Sequence, residues 1–123
     1  MSIKYSEDHA WVKVQDEDLV TIGITDFAQE QLGDLVYIEL HKVGHEFSRG
    51  DNISVIESVK SASDLVAPVS GEIVEVNNKL EDDPELVSEE PMDEGWFIKV
   101  KHSKLSELDE LMDDESYQTF IED

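Results

Sequence analysis

The apolar residues of this chain are grouped in short runs that are separated by glycine, aspartate and asparagine. In the run at 71–76, Ile73 and Val76 have Glu72 and Glu75 between them, which approaches the alternation of a half-buried strand. Short runs of this kind, rich in Val, Ile and Leu, predict β-strands. The predicted strands are 11–14, 19–22, 35–40, 52–57, 71–76 and 96–101. The sequence therefore predicts a mainly β fold, in which residues 15–18 join the first two strands as a hairpin.

Two segments depart from the strand pattern and predict helices. Asp26 is a candidate N-cap for a short helix at 26–32, and Gly33 provides its end. The tail, residues 106–120, has apolar residues at 108, 111, 112 and 120 with acidic residues between them. This spacing predicts either one amphipathic helix packed against the body of the protein or two shorter helices.

The charge of the chain excludes several classes of partner. Its 123 residues include 31 acidic and 9 basic side chains, which gives a formal net charge of −22. A surface this acidic repels nucleic-acid phosphates and anionic membranes. No apolar run reaches the ~20 residues of a membrane span, and we expect no targeting segment because the first residues lack a signal-peptide core. The absence of cysteine excludes disulfides and a thiolate nucleophile.

Lys60 is the only lysine between Lys42 and Lys79, and small residues follow it. An apolar run ends at Val59, and apolar residues resume after Asp64. Small residues between two strand-like runs predict a tight turn that exposes the lysine at its tip. Such a lysine is either a solvated charge or a site at which another protein modifies the amine.

Motifs on both sides of Lys60 form one ordered set. Glu57-Ser58-Val59-Lys60 is followed by Ser63-Asp64 and by Pro-Val-Ser-Gly-Glu-Ile-Val-Glu-Val-Asn at 68–77. Upstream lie Gly-Ile-Thr-Asp at 23–26 and Leu-Gly-Asp at 32–34, and downstream lie Pro-Glu-Leu-Val at 84–87 and Gly-Trp at 95–96. In order and spacing, residues 3–101 closely resemble the glycine cleavage system H protein family, and the motif around Lys60 resembles its lipoyl-attachment segment.

The resemblance implies a carrier and not a catalyst. Lys60 would carry lipoate in amide linkage, which requires a primary amine on a flexible stem; arginine is a poor nucleophile that stays protonated. The implied arm accepts an aminomethyl group from a pyridoxal-phosphate-dependent glycine decarboxylase and presents it to a tetrahydrofolate-dependent aminomethyltransferase. It is then reoxidised by dihydrolipoyl dehydrogenase. A lipoate-attaching enzyme is the fourth implied partner.

The resemblance also implies the architecture and the location of the protein. We expect a barrel-sandwich hybrid of the lipoyl- and biotinyl-carrier type, with two antiparallel sheets, the short helix near 26–32 and a C-terminal helix. One carrier domain would span residues 1–123, with its core at about 3–101 and an acidic helical segment at about 104–123. We expect a cytoplasmic monomer, or a mitochondrial one if the sequence is a mature processed form.

Further site residues are inferred from the same resemblance. Glu57, Ser58 and Val59 would shape the turn, and Asp64 would contact the amine on the loaded arm; its alternative role is to cap its own turn. His9 is a possible contact in the cleft that receives the arm. The family's His-Glu-Trp reads His9-Ala10-Trp11 here, so the carboxylate between the two rings is missing.

Other functions have weaker support in the sequence. A biotin carrier would share the fold, but Lys60 is not flanked by methionines. A hydrolase is disfavoured because the chain has no Gly-x-Ser-x-Gly motif, and the spacing of His41 and His45 does not continue into a metalloprotease motif. The acidic runs at 16–18, 81–83 and 113–115 lack the ligand spacing of an EF-hand loop. An acidic interaction protein that does not use Lys60 is the remaining alternative.

The chain also contains a short internal sequence repeat. The segments 33–38 and 71–76 share the pattern Gly, acid, Leu or Ile, Val, any residue, Ile or Val, and Lys60 lies between them. A duplication of this kind predicts two similar half-sheets with the Lys60 hairpin between them.

Overall fold

A computed structural model describes residues 3–14, 19–102 and 106–122 of the chain. Nine strands lie within these residues: β1 Ile3–Tyr5, β2 Ala10–Val14, β3 Leu19–Ile24, β4 Leu35–Leu40, β5 Glu46–Phe47, β6 Asn52–Ser58, β7 Ala62–Val66, β8 Gly71–Val76 and β9 Ile98–His102. Five short helices accompany them: α1 Asp26–Leu32, α2 Lys79–Asp82, α3 Glu85–Glu89, α4 Ser106–Asp109 and α5 Asp114–Glu122. None of the helices in the described part is long and apolar enough to span a membrane.

The strands form two antiparallel sheets that enclose one apolar core. The larger sheet has the order β1-β2-β3-β9-β8-β5, and the smaller one has the order β4-β6-β7. Fully buried side chains from both sheets meet between them, among them Ile22, Ile38, Ile56 and Ile73. Burial of this apolar area is the main stabilising contribution to such a fold. The predicted mainly β sandwich with short helices and a C-terminal helix is confirmed.

Two element boundaries depart from the sequence prediction, and a third segment takes one of its two predicted forms. The N-cap of α1 is Thr25 and not Asp26, because the Thr25 hydroxyl accepts the Ala28 N–H at 3.2 Å. The last strand begins at Ile98 and not at residue 96, since the Asn77 side-chain amide holds the carbonyls of Glu94 and Trp96 in the preceding loop. The tail forms two helices, α4 and α5, which was one of the two predicted outcomes.

Some predictions fall on residues that the structure does not describe. The strands β2 and β3 pair as predicted, with Val12 opposite Ile22. The connecting residues 15–18, and residues 103–105 at the start of the predicted C-terminal segment, lie outside the described residues.

The two copies of the sequence repeat each contain a β-bulge. The pairing of β4 with β6 shifts between Leu35 and Tyr37, and that of β8 with β9 shifts between Ile73 and Glu75. Val36 is therefore the extra residue of the bulge in β4, and Val74 is that of the bulge in β8. The two residues occupy equivalent positions of the sequence repeat. The two copies lie in different sheets, and the β6–β7 hairpin lies between them in the chain.

The C-terminal segment is fastened to the sandwich by polar contacts. The buried Glu107 of α4 accepts the Ser70 N–H at 2.6 Å and the Ser70 hydroxyl at 2.9 Å. Tyr5 and Met112 exchange two backbone hydrogen bonds of 2.8 Å. The Tyr5 ring also stacks on Tyr117 of α5, with the centroids 4.6 Å apart.

Candidate functional site

The hairpin between β6 and β7 carries Lys60 at its tip, where the sequence predicts a tight turn. The Ser58 N–H donates to the Ser61 carbonyl at 2.8 Å, and the Ser58 hydroxyl donates to the same carbonyl at 3.0 Å. The Ser58 oxygen also accepts the N–H groups of Lys60 at 3.2 Å and of Ser61 at 3.1 Å. One serine side chain therefore satisfies most polar groups of the turn, as serine often does in turns.

A second anchor fixes the turn to the connection between α1 and β4. The Val59 N–H donates to the Asp34 carbonyl at 3.0 Å. The Lys60 side chain crosses Gly33, which ends α1 with φ 82°. A Cβ atom at Gly33 would lie 3.4 Å from Lys60 Cε and 3.8 Å from Nζ. The sequence indicated Gly33 only as a helix end, and its second role as the surface under Lys60 was missed.

The backbone of the turn is held while its side chains stay accessible. Lys60, Ser61 and Ala62 are exposed, and Val59 is 66% exposed. No carboxylate of the described residues lies within 4.0 Å of the Lys60 ammonium. The arrangement presents a primary amine at a fixed point of the surface, where an enzyme can reach it.

The outer face of the small sheet next to Lys60 is acidic. Cross-strand pairs share a face, so Tyr37, Glu57 and Ala62 form one row, and Glu39, Val55 and Asp64 form the next. The three carboxylates are exposed. The charge of Glu39, with a smaller contribution from that of Glu57, raises the pKa of Tyr37, whose hydroxyl donates to a Glu39 oxygen at 3.3 Å.

Asp64 does not occupy the turn position that its alternative role requires. It lies inside β7, opposite Val55, so the interpretation as a residue that caps its own turn is wrong. The strand begins already at Ala62, because the turn needs only the three residues after Ser58. Asp64 is two residues beyond the first row of the face, or about 7 Å along the strand. Its exposed carboxylate therefore lies on the same face of the sheet as that of Glu57.

His9 lies near the other end of α1. Its Nδ1 is 2.8 Å from the Tyr117 hydroxyl, which is 2.7 Å from the Thr25 hydroxyl that caps the helix. Since Lys60 lies at the C-terminal cap of a seven-residue helix, about 10 Å of helix axis separates the two ends. The structure therefore brings together Glu57, Ser58, Val59 and Lys60, whereas His9 belongs to the contact between α1 and α5.

The surroundings of His9 are aromatic and partly buried. Its ring lies 4.8 Å from Phe27 and 5.9 Å from Phe120, and its backbone has a positive φ of 66°. Burial lowers the pKa of His9, although the nearby Asp8 opposes the shift. Burial likewise raises the pKa of Tyr117. The sequence did not single out Tyr117; its position three residues before Phe120, on one face of the tail helix, was the available signal.

The remaining histidines offer no metal centre in the described residues. The exposed rings of His41 and His45 stack with their centroids 4.3 Å apart, in the connection between β4 and β5. No set of three or more His, Asp or Glu side chains in the described part is placed to hold a metal ion.

Comparisons with known proteins identify the family. The family described as glycine cleavage H-protein matches residues 3–123. The chain is 53% identical to the glycine cleavage system H protein of Teredinibacter turnerae over 98% of this chain and 93% of that one. It is 54% identical to the H protein of Carboxydothermus hydrogenoformans, with 98% and 92% covered.

A solved structure gives the same result for the fold. The crystal structure of a glycine cleavage system H protein from Mycobacterium marinum superposes with a TM-score of 0.87 at 36% identity, over 96% of this chain and 94% of that one. The agreement in sequence extends over nearly the full length of each relative. The chain belongs to the glycine cleavage H-protein family.

Proposed function

We propose that Lys60 carries lipoate in amide linkage and that the whole chain acts as one lipoyl-carrier domain of a glycine cleavage system. The observation that carries this proposal is the Lys60 hairpin: an exposed primary amine on a backbone fixed by Ser58 and Asp34. Membership of the family supports it, since the relatives are named as components of that system.

The residues around Lys60 fit an acylated lysine. Gly33 has no side chain, so the Lys60 stem can lie across it or swing away without displacing another residue. Val59 is exposed, and Ala62 and Ser61 are small, which leaves room for a ligating enzyme to grip the turn. Bound lipoate would supply a disulfide that is reduced when it takes up an aminomethyl group, and that is left as a dithiol when the group is released.

In this scheme the chain's own residues position the lipoyl-lysine arm and bind its cargo. Ser58 holds the turn, Gly33 leaves space for the lysine stem, and Asp64 provides a carboxylate for a cationic amine at the end of the arm. Acylation removes the only positive charge of the hairpin and leaves Glu39, Glu57 and Asp64 beside it. Partners with basic surfaces are therefore attracted to this face, and salt weakens the attraction.

The chemistry itself belongs to the partners. A pyridoxal-phosphate-dependent glycine decarboxylase and an aminomethyltransferase carry out aminomethyl transfer. Dihydrolipoyl dehydrogenase reoxidises the arm, a lipoate-attaching enzyme loads it, and the carrier works with these partners in the cytoplasm. Tethering keeps the cargo at a local concentration on the order of millimolar for short flexible links.

Two experiments test the proposal. The first measures the intact mass of the protein after incubation with a lipoate ligase, and the second is a reconstituted glycine cleavage assay. The wild type should gain one lipoyl mass, mapped to Lys60 by tryptic digestion, and should support glycine turnover. Lys60→Arg should stay unmodified and inactive while it folds normally. Lys79→Arg, which removes another lysine, serves as the matched control and should behave like the wild type.

Two results would contradict the proposal. One is turnover supported by the Lys60→Arg variant, and the other is lipoylation of that variant at a different lysine. A biotinyl mass on protein purified from its native source would instead favour the biotin-carrier alternative.

A further inference from the structure

Exposed apolar side chains lie together in the two segments that meet at the Lys60 turn. Six large apolar side chains of the described residues are exposed, and three of them, Val36, Tyr37 and Val59, belong to these segments. Val59 directly precedes Lys60 and is 66% exposed, and Val36 is 55% exposed. Single exposed apolar residues need no explanation, but neighbouring ones indicate a surface that another molecule covers.

The pairing of β4 with β6 brings Val36 close to Val59. Leu35 of β4 pairs with Ser58 of β6. On one side of this pair the Val59 N–H donates to the Asp34 carbonyl at 3.0 Å, and on the other side Val36 is the extra residue of the bulge. Only one ladder pair therefore lies between the two valines, which we call the valine patch. A bulge redirects a side chain and is common next to functional sites.

The valine patch has acidic neighbours. Asp34, whose carbonyl accepts the Val59 N–H, and Glu57, two residues before Val59, are both exposed. Neither carboxylate takes part in an ion pair with a basic side chain of the described residues. A protein that covers the patch therefore needs an apolar contact flanked by basic side chains, because the surface it meets is apolar and negatively charged.

The reach of Lys60 decides which partner has to cover the patch. Its ammonium lies at the end of a four-carbon stem, about 6 Å from the backbone. The stem crosses Gly33, three residues before Val36, so an enzyme that acylates Nζ must approach both the turn and the start of β4. The loaded arm is longer by the whole lipoyl chain, and enzymes that act on its end need not contact the turn.

We infer that the valine patch is the docking contact for the enzyme that attaches lipoate to Lys60. The inference rests on the proposed function, since it names the partner that recognises the hairpin before loading. Val36 and Val59 contribute apolar area to the encounter with this enzyme and take no part in forming the amide bond. Their contribution therefore belongs to the KM of the ligase for this protein and not to its kcat.

Initial rates of a lipoate ligase, with lipoate and ATP at saturation and the whole chain as the varied substrate, test the inference. Val36→Thr and Val59→Thr keep the β-branched shape and replace one methyl group by a hydroxyl. Each should raise KM about two- to fivefold through the loss of buried apolar area and leave kcat unchanged. Val74→Thr is the matched control, because Val74 is the exposed bulge residue of β8 in the other sheet, and its KM should equal that of the wild type.

Backbone ¹H–¹⁵N spectra show whether the variants fold normally. Wild-type KM values for Val36→Thr and Val59→Thr would overturn the inference alone, whereas a wild type that the ligase does not modify would contradict the proposed function as well. Once loaded by long incubation, both variants should be reoxidised by dihydrolipoyl dehydrogenase with the wild-type KM. An equal rise in KM for that enzyme, or for the ligase with Val74→Thr, would also overturn the inference.

Discussion

Lys60 Cε lies 3.4 Å from the point that a Cβ atom of Gly33 would occupy, so the end of α1 and the exposed lysine share one space. Gly33 thus combines two requirements: its φ of 82° disfavours other residues, and its missing side chain leaves room for the lysine stem. These two requirements can be separated by substitution, because Gly44 has a similar φ of 96° with no atom within 4 Å of the equivalent point.

Gly33→Ala should lower both stability and the rate of Lys60 modification. The combination of φ 82° and ψ −151° at Gly33 is one that essentially only glycine adopts, so the strained backbone should cost about 1–3 kcal/mol of unfolding free energy, measured by urea denaturation. Gly44→Ala also places a side chain at a positive φ and should lower stability without slowing the ligase. A ligase rate that falls equally in both variants would show that strain alone, and not the space beside Lys60, is responsible.

Ser58→Ala should loosen the turn while the hairpin remains paired. The Lys60 and Ser61 N–H groups lose their acceptor. Since the turn is exposed, water replaces the serine oxygen, and the cost in stability should be about 1 kcal/mol or less. Amide hydrogen exchange at these two residues should accelerate, and kcat/KM for lipoylation should fall. Ser58→Thr keeps the hydroxyl and should retain most of both properties.

Ser63→Ala is the matched control, since Ser63 is an exposed serine in the adjacent strand β7. If it slowed lipoylation as much as Ser58→Ala did, the hydroxyl of Ser58 would not be the cause.

Glu107→Ala should be the most destabilising of these changes. It removes two short hydrogen bonds that Ser70 donates to a buried carboxylate and leaves the Ser70 N–H without its acceptor, which should cost about 2–4 kcal/mol. Urea denaturation measures the loss. Glu110→Ala, which removes an exposed 2.9 Å ion pair with Arg49, should cost less than about 1 kcal/mol. Equal losses in the two variants would contradict the structural role of Glu107.

The strand pattern and the Lys60 turn were predictable because both depend on local sequence. Apolar runs and small turn residues indicate strands and a hairpin wherever they occur. The contact between Ser70 and Glu107 joins residues 37 apart, and that between His9 and Tyr117 joins residues 108 apart, so no local pattern reveals them. Asp26 and Thr25 are both good caps, and only the hydrogen bond to Ala28 decides between them. The position of Asp64 in β7 likewise depends on its pairing with Val55.

His9 should make the stability of the protein depend on pH in the mildly acidic range. Burial lowers its pKa from 6.5, so the folded state prefers the neutral imidazole and the unfolded state binds more protons near this pH. The contribution of His9 is therefore complete well above pH 6.5 and is lost as the pH falls from 6.5 through the lowered value. Urea denaturation at pH values from 7.5 down to 5 measures this loss. His9→Asn should lose less unfolding free energy between pH 7.5 and 5 than the wild type does, whereas His41→Asn, which replaces an exposed ring, should keep the wild-type pH dependence. Protonation of carboxylates changes the stability of all three proteins over the same range, so the comparison rests on the difference between them. Parallel curves for the wild type and His9→Asn would mean that His9 titrates alike in the folded and unfolded states.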